Sequence, residues 1–148
     1  MITLRDIDDD NFNDCVDLAL EDERFVGSAT YVLAGAYACR HYMTTYGIYK
    51  DNEVIGMVQV RNKPANHEKG YAFSEIFIAK NHLRKGYGQQ AVAVILKKLK
   101  HDNGFESARV CVDVENPISQ NFFKKCGFTE VGKASWDDRY IDYSISLS

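Results

Sequence analysis

Residues 83–91, Leu83-Arg84-Lys85-Gly86-Tyr87-Gly88-Gln89-Gln90-Ala91, join a stretch that alternates like a strand to one that repeats like a helix. No other junction restricts the chain as much. Before it, Tyr71 to Ala79 reads as a strand, with Phe73, Glu75 and Phe77 on one face and Ile76 and Ile78 on the other. After it, Gly88 to Lys100 carries Val92, Ile95, Leu96 and Leu99 at the helical i, i+3, i+4, i+7 spacing. Two glycines let the backbone turn tightly and come close to a ligand. The helix then points unpaired N–H groups and the positive end of its dipole at that spot. Arg84 and Lys85 add positive charge. The junction is a place for a phosphate or pyrophosphate.

The remaining elements follow from the same kind of pattern. Ile2 to Ile7 is a short strand, and Asp9 or Asp10 caps a helix running to about Leu20. A second helix is expected from about Ser28 to Tyr42, in a stretch rich in Ala and Tyr. Strands over Thr45–Lys50 and Val54–Arg61 are joined by Asp51-Asn52-Glu53, which suits a tight hairpin. Asn62 to Gly70 is a polar loop. Asn103-Gly104 ends the helix after the glycine loop, and Val110, Val112 and Val114 alternate in a strand over Arg109–Val114. Asn116-Pro117 opens a last helix as cap and first-turn proline, and Gly127 closes it. Thr129–Ser135 and Tyr140–Leu147 form a final hairpin through Asp137-Asp138. The order is β-α-α-β-β-β-α-β-α-β-β, an α/β fold around one mixed sheet flanked by helices.

A chain of 148 residues suits one domain over 1–148, and burial of roughly 68–70% of its unfolded surface needs no disulfide or metal. Cys15, Cys39, Cys111 and Cys126 lie far apart and read as reduced, packed thiols. Cys111 and Cys126 have no neighbouring His or Asp in the sequence to activate them. His41, His67, His82 and His101 lack metal-ligand spacing, so no metal is expected. Arg5-Asp6 follows Met1 where a secretory leader would be apolar, and no run is long enough to span a membrane. A cytoplasmic protein is expected. A net charge of −3 disfavours nucleic acid as a partner. Nine of the first 24 residues are acidic and only Arg5 and Arg24 oppose them. This is either a field that draws a cationic substrate or a solvated helix face.

Gly86-x-Gly88-x-x-Ala91 also fits a dinucleotide fingerprint, with Asp113 downstream for a ribose. That alternative needs the first glycine almost directly after the strand. Here the mostly polar Lys80 to Lys85 intervene, and the motif falls mid-chain, where no room for a substrate domain is expected.

Two stretches in order resemble the GNAT superfamily of acetyl-CoA-dependent N-acetyltransferases. Ile76-Phe77-Ile78-Ala79 followed by Arg84-Lys85-Gly86-Tyr87-Gly88 resembles its pyrophosphate-binding motif. Asn116 through Phe128 is similar to its N-x-x-A-x-x-x-Y-x-x-x-G-F signature. The resemblance implies an enzyme that passes an acetyl group from acetyl-CoA directly to a small-molecule or peptidyl amine. It implies contacts to the donor from Arg84, Lys85, Gly86, Tyr87, Gly88 and Gln89, from the backbones of Phe77 and Ile78, and from Asn116 and Phe123. An N–H at Ile78 is expected to stabilise the oxyanion. Glu75 is the best-placed base, although the family often has its acid at the position of Ser74. Leu83 departs from the usual Gln or Arg, and Phe123 from the tyrosine that protonates the departing thiolate. Tyr87, Tyr140 and Tyr143 are the hydroxyls left to replace it. Those departures keep open a weakly catalytic acetyl-CoA-binding module. Phe25-Val26-Gly27-Ser28 and Tyr49 through Gly56 are similar to bacterial spermine/spermidine acetyltransferases, which makes a polyamine one acceptor beside aminoglycosides, amino acids and protein N-termini. Many relatives dimerise, so a homodimer is open.

Overall fold

The structure, a computed structural model, describes residues 1–63 and 70–148. In chain order the elements are β1 (Ile2–Asp6), α1 (Phe12–Val16), α2 (Ala29–Ala38), β2 (Met43–Lys50), β3 (Glu53–Arg61) and β4 (Tyr71–Ile78). There follow α3 (Tyr87–Asp102), β5 (Ser107–Asp113), α4 (Pro117–Lys125), β6 (Thr129–Lys133) and β7 (Tyr140–Ser146). A 3-10 turn at Lys80–His82 separates β4 from the glycine loop. The strands make one sheet in the order β1-β2-β3-β4-β5-β7-β6, antiparallel except for β4 beside β5. The mixed sheet and the element order agree with expectation. Most of the polar loop expected over Asn62–Gly70 lies outside the described residues, as does His67.

Each face of the sheet carries its own apolar cluster. Val58, Val60, Phe73, Val110 and Tyr143 pack with Val92, Ile95 and Leu99 of α3 and Phe123 of α4. On the opposite face Met57, Tyr49, Val54 and Phe77 meet Cys15, Ala29 and Val32 of the first two helices. β3 is buried from Val54 to Val60 because helices cover both sides of it. Gln59 is the one polar residue in that run. Its Nε2 donates to the Val32 carbonyl and fastens α2 to the sheet.

Three local expectations change. The first helix ends at Val16, well short of Leu20, and no regular element follows until Ala29. The Lys80 N–H donates to the Ala19 carbonyl at 2.8 Å, so this stretch spends its backbone on the turn after β4. Its N-cap is Asn11, not Asp9 or Asp10, and Asp8 and Asn11 hydrogen-bond each other's backbone in the preceding turn. α2 stops at Ala38, and the chain turns through Cys39 into β2, which begins at Met43.

The third change concerns β4. Gln59 lies opposite Glu75 but Val60 lies opposite Phe73, so Ser74 is an extra residue bulged from the ladder. A bulge reverses the side-chain alternation. Phe73 therefore packs with the α3/α4 cluster, and does not share a face with Phe77.

Candidate active site

β4 and β5 pair over only three residues: Tyr71 with Ala108, Ala72 with Arg109 and Phe73 with Val110. The pairing stops where the Ser74 bulge bends β4, while β5 stays on β7 as far as Asp113. A gap opens between the strands. Its β4 edge is defined by one hydrogen bond, from the Ala79 N–H to the Ile55 carbonyl at 2.7 Å. Backbone groups alternate sides along an antiparallel strand, so Phe77 and Glu75 also turn theirs toward β3. Ile76 and Ile78 turn theirs into the gap. The Ile78 N–H thus faces the gap. The Phe77 backbone does not, and only its side chain faces a cleft.

Two clefts reach this gap. The first, about 140 Å³, is lined by Glu75, Cys111, Asp113, Asn116 and Tyr140 and roofed by Arg24-Phe25-Val26. The second, about 410 Å³, is lined by Phe77, Ile78, Arg84, Gly86, Tyr87, Gly88 and Gln89 with Phe122 and Phe123 of α4. Ile76, Ser119 and Phe123 line both. Of the expected donor contacts, Lys85 is exposed and outside the second cleft, and Asn116 lies in the first.

The glycine loop ends in left-handed backbone at Gly86 (φ 79°), which starts α3, and no side chain caps that helix. The first-turn amides of a 16-residue helix are therefore left for an outside acceptor, and an anionic phosphate fits them. Arg84 is also left-handed (φ 62°), and its guanidinium pairs with Glu21 at 2.7 Å. That pairing offsets part of the positive charge read from the loop. Asn116 caps α4: its Oδ1 accepts from the Ser119 N–H at 3.2 Å, and its Nδ2 donates to the Ser119 Oγ at 3.0 Å.

Burial raises the pKa of Glu75, and the Gly27 backbone N–H beside the carboxylate offsets part of the rise. A half-buried carboxylate in a cleft is suited to accept a proton. The three tyrosines separate clearly. The Tyr143 hydroxyl is buried and donates to Glu130 at 3.3 Å. Tyr87 packs against the core and lines the second cleft. Tyr140 stacks on Trp136 in the first cleft.

The sequence puts no Asp directly adjacent to Cys111, but β5 and β7 place Asp142 opposite it, and the thiol donates to Asp142 Oδ1 at 2.8 Å. Arg109 holds the other oxygen at 2.6 Å. A carboxylate neighbour opposes a thiolate, so the contact does not make Cys111 a nucleophile. Burial pushes the Cys126 thiol up to about 11. His82 lines the second cleft, with its Nε2 3.3 Å from Glu53.

Sequence reasoning passed over Gln59, Arg24 and Ser119. Gln59 had a signal, a lone polar residue in a fully apolar strand. Ser119, at the alanine position of the helix motif, and Arg24 had none, since only the fold carries them to the gap.

Residues 4–128 match the model of the acetyltransferase (GNAT) family. The chain belongs to that family, and it is an acetyl-CoA-dependent N-acetyltransferase. The dinucleotide alternative is set aside with this assignment. Among solved structures it resembles the spermidine N-acetyltransferase from Vibrio cholerae in complex with CoA and spermine, with TM-score 0.75 and 18% identity, covering 99% of this chain and 95% of that one. It also resembles an acetyltransferase from Thermus thermophilus (TM-score 0.78, 15% identity, 99% and 97% covered). A third is the ribosomal-protein-S18-alanine N-acetyltransferase from Escherichia coli (TM-score 0.71, 11% identity, 100% and 95% covered). At such identities these likenesses concern the fold. A sequence search of curated proteins gives no significant match. No helix among the described residues is long and apolar enough to cross a membrane.

Proposed function

We propose that the chain acetylates a primary alkyl amine by direct attack in the gap between β4 and β5, with a polyamine such as spermidine or spermine as the first acceptor to try. The observation that carries this is the meeting of two clefts at the gap, one holding a desolvated carboxylate and the other an uncapped helix start. Gly86, Tyr87, Gly88 and Gln89 would hold the donor's pyrophosphate through backbone amides, with Arg84 beside them. Acetyl-CoA, when bound, supplies an acetyl group activated as a thioester.

An alkyl amine has a pKa of about 10.4 and arrives protonated. Glu75 takes that proton, directly or through one water, and its raised pKa brings it nearer the working pH. The Ile78 N–H donates to the carbonyl oxygen as negative charge develops there. No cysteine carries the acetyl group. We place the enzyme in the cytoplasm, where its four free thiols stay reduced.

Glu75 and Asp113 in the first cleft support a cationic acceptor. The acidic N-terminal residues do not line that cleft. Asp8 and Asp9 border a hollow beside Phe12 and Tyr37, and Asp14 and Asp17 another beside Glu53, so their part is long-range steering.

Arg24 favours a second reading. Its guanidinium lies 4.1 Å over the Phe25 ring and has no ion pair among the described residues, yet it borders the acceptor cleft. It suits an amine that also bears a carboxylate. The test is thiol release from acetyl-CoA across spermidine, spermine, putrescine, an aminoglycoside, a lysine peptide and free amino acids. Turnover with the polyamines supports the first reading, and turnover confined to carboxylate-bearing amines supports the second. Silence with all of them overturns both.

A further inference from the structure

The two clefts meet where the acetyl group must pass from sulfur to nitrogen, and three residues border both sides of that junction: Ile76, Ser119 and Phe123. Two of them are hydrocarbon. Phe123 is 4% exposed and packed edge-on against Phe122 and Phe128, so the helix motif's usual hydroxyl position is here part of the core. Ser119 lies one turn earlier on the same face of α4, and among the described residues it carries the only side-chain O–H that borders both clefts. None of the tyrosines borders both clefts: the Tyr143 hydroxyl is bonded to Glu130, Tyr87 lines the donor cleft alone, and Tyr140 the acceptor cleft alone.

Asn116 settles which way the serine proton points. Its Nδ2 donates to the Ser119 Oγ at 3.0 Å, so that bond uses a lone pair of the serine and leaves its hydrogen unspent. The same asparagine's Oδ1 is turned to the Ser119 backbone N–H. The hydroxyl hydrogen has the clefts before it.

We propose that Ser119 donates a hydrogen bond to the departing thiolate, and that Asn116 positions it to do so. This rests on the reaction proposed above. The C–N bond forms and the C–S bond breaks. The electron pair goes to sulfur. The ammonium proton has by then passed from Glu75 to bulk water, so the carboxylate takes the second proton that nitrogen sheds as the amide forms, and the Ser119 O–H stays intact while pointing at the new negative charge. A serine hydroxyl is far weaker as an acid than a thiol of pKa about 8.5, so no proton moves from it. CoA leaves as thiolate and takes its proton from water. A hydrogen bond to a charged group is about twice as strong as a neutral one, and this one forms only as the charge appears.

The experiment compares wild type, Ser119→Ala, Ser119→Thr and Asn116→Asp by kcat, KM for acetyl-CoA and melting temperature, using the best acceptor from the amine screen. Ser119→Ala should lower kcat by about 10- to 100-fold with KM for acetyl-CoA and melting temperature nearly unchanged. Ser119→Thr, which keeps the hydroxyl, should recover most of the rate. Asn116→Asp keeps an oxygen to cap α4 but replaces the donor with an acceptor, which turns the serine hydrogen away from sulfur. It should lower kcat as the alanine does. A wild type active on amines with an unimpaired Ser119→Ala overturns this inference and leaves the proposed function standing. A loss in Ser119→Ala that Thr does not restore, or that appears as a raised KM or lowered melting temperature, also overturns it. A wild type silent with every amine removes the reaction on which it rests.

Discussion

Glu75 sits under opposing influences: burial raises its pKa, and the Gly27 N–H lowers it. The net rise has consequences for rate and for stability. A base must be deprotonated to act, so kcat/KM should fall as the pH drops through the raised value, at higher pH than for an ordinary glutamate. Glu75→Gln should reduce kcat by about 10²–10⁴-fold and abolish that acidic limb, read from pH–rate profiles of the two proteins. Stability runs the other way. Because the folded-state pKa lies above the unfolded one, the group's favourable contribution is present in full below the unfolded value. It is lost as the pH rises through the folded one. At neutral pH the charged carboxylate is therefore a burden, and Glu75→Gln should melt no lower than wild type.

Among the elements, the start of α3 has the firmest local logic. Gly86 holds φ 79°, and a Cβ there would meet only the Gln90 Nε2 at an ordinary 3.9 Å, so the cost of alanine is backbone strain. Gly86→Ala should cost about 1–2 kcal/mol in thermal or chemical unfolding. It should also lose most of the melting-temperature rise that acetyl-CoA gives wild type. The segment between α1 and α2 reaches the same loop through Glu21. That pair with Arg84 is exposed, and exposed pairs contribute little to stability. Glu21→Gln should leave the melting temperature nearly unchanged while tightening acetyl-CoA binding at low salt, as titration calorimetry would show. These elements also mark how far the sequence can be read. The glycine loop, the α3 stripe of Val92, Ile95 and Leu99, and the Asn116-Pro117 helix start were legible because each is a local pattern. The Ser74 bulge was not. Its cause is the pairing of Gln59 with Glu75 and Val60 with Phe73, a tertiary register that no spacing within β4 announces. The early end of α1 is of the same kind, since the Ala19 carbonyl is claimed by Lys80, far later in the chain. Glu75 and Ile78 could be proposed from the strand taken together with the family resemblance. Ser119 could not, because its significance lies in which two clefts α4 separates.

At the scale of the whole molecule, the sheet consists of two parts, β1 to β4 and β5 to β7, that meet along a single parallel seam. The acidic residues of the first third all belong to the first part, outside the cleft they flank. If they steer a polycation, kcat/KM for spermidine should fall as salt rises from about 0.01 to 0.15 M, where the screening length shrinks from about 30 to 8 Å. The same assay with a neutral acceptor should stay nearly level.

The seam has a further consequence, one of sequence in time. Past Phe73 the edge of β4 offers the backbone of Ile76 and Ile78 to no strand among the described residues, so whatever docks along it acts as a substitute strand and closes the floor beneath the acceptor. Until that floor is laid, an amine entering beside Glu75 has no carbonyl to meet and little wall to lean on. The enzyme should therefore keep a queue, with the nucleotide-bearing substrate first in and its spent thiol last out. CoA would then compete with acetyl-CoA, and the acetylated amine would compete with neither.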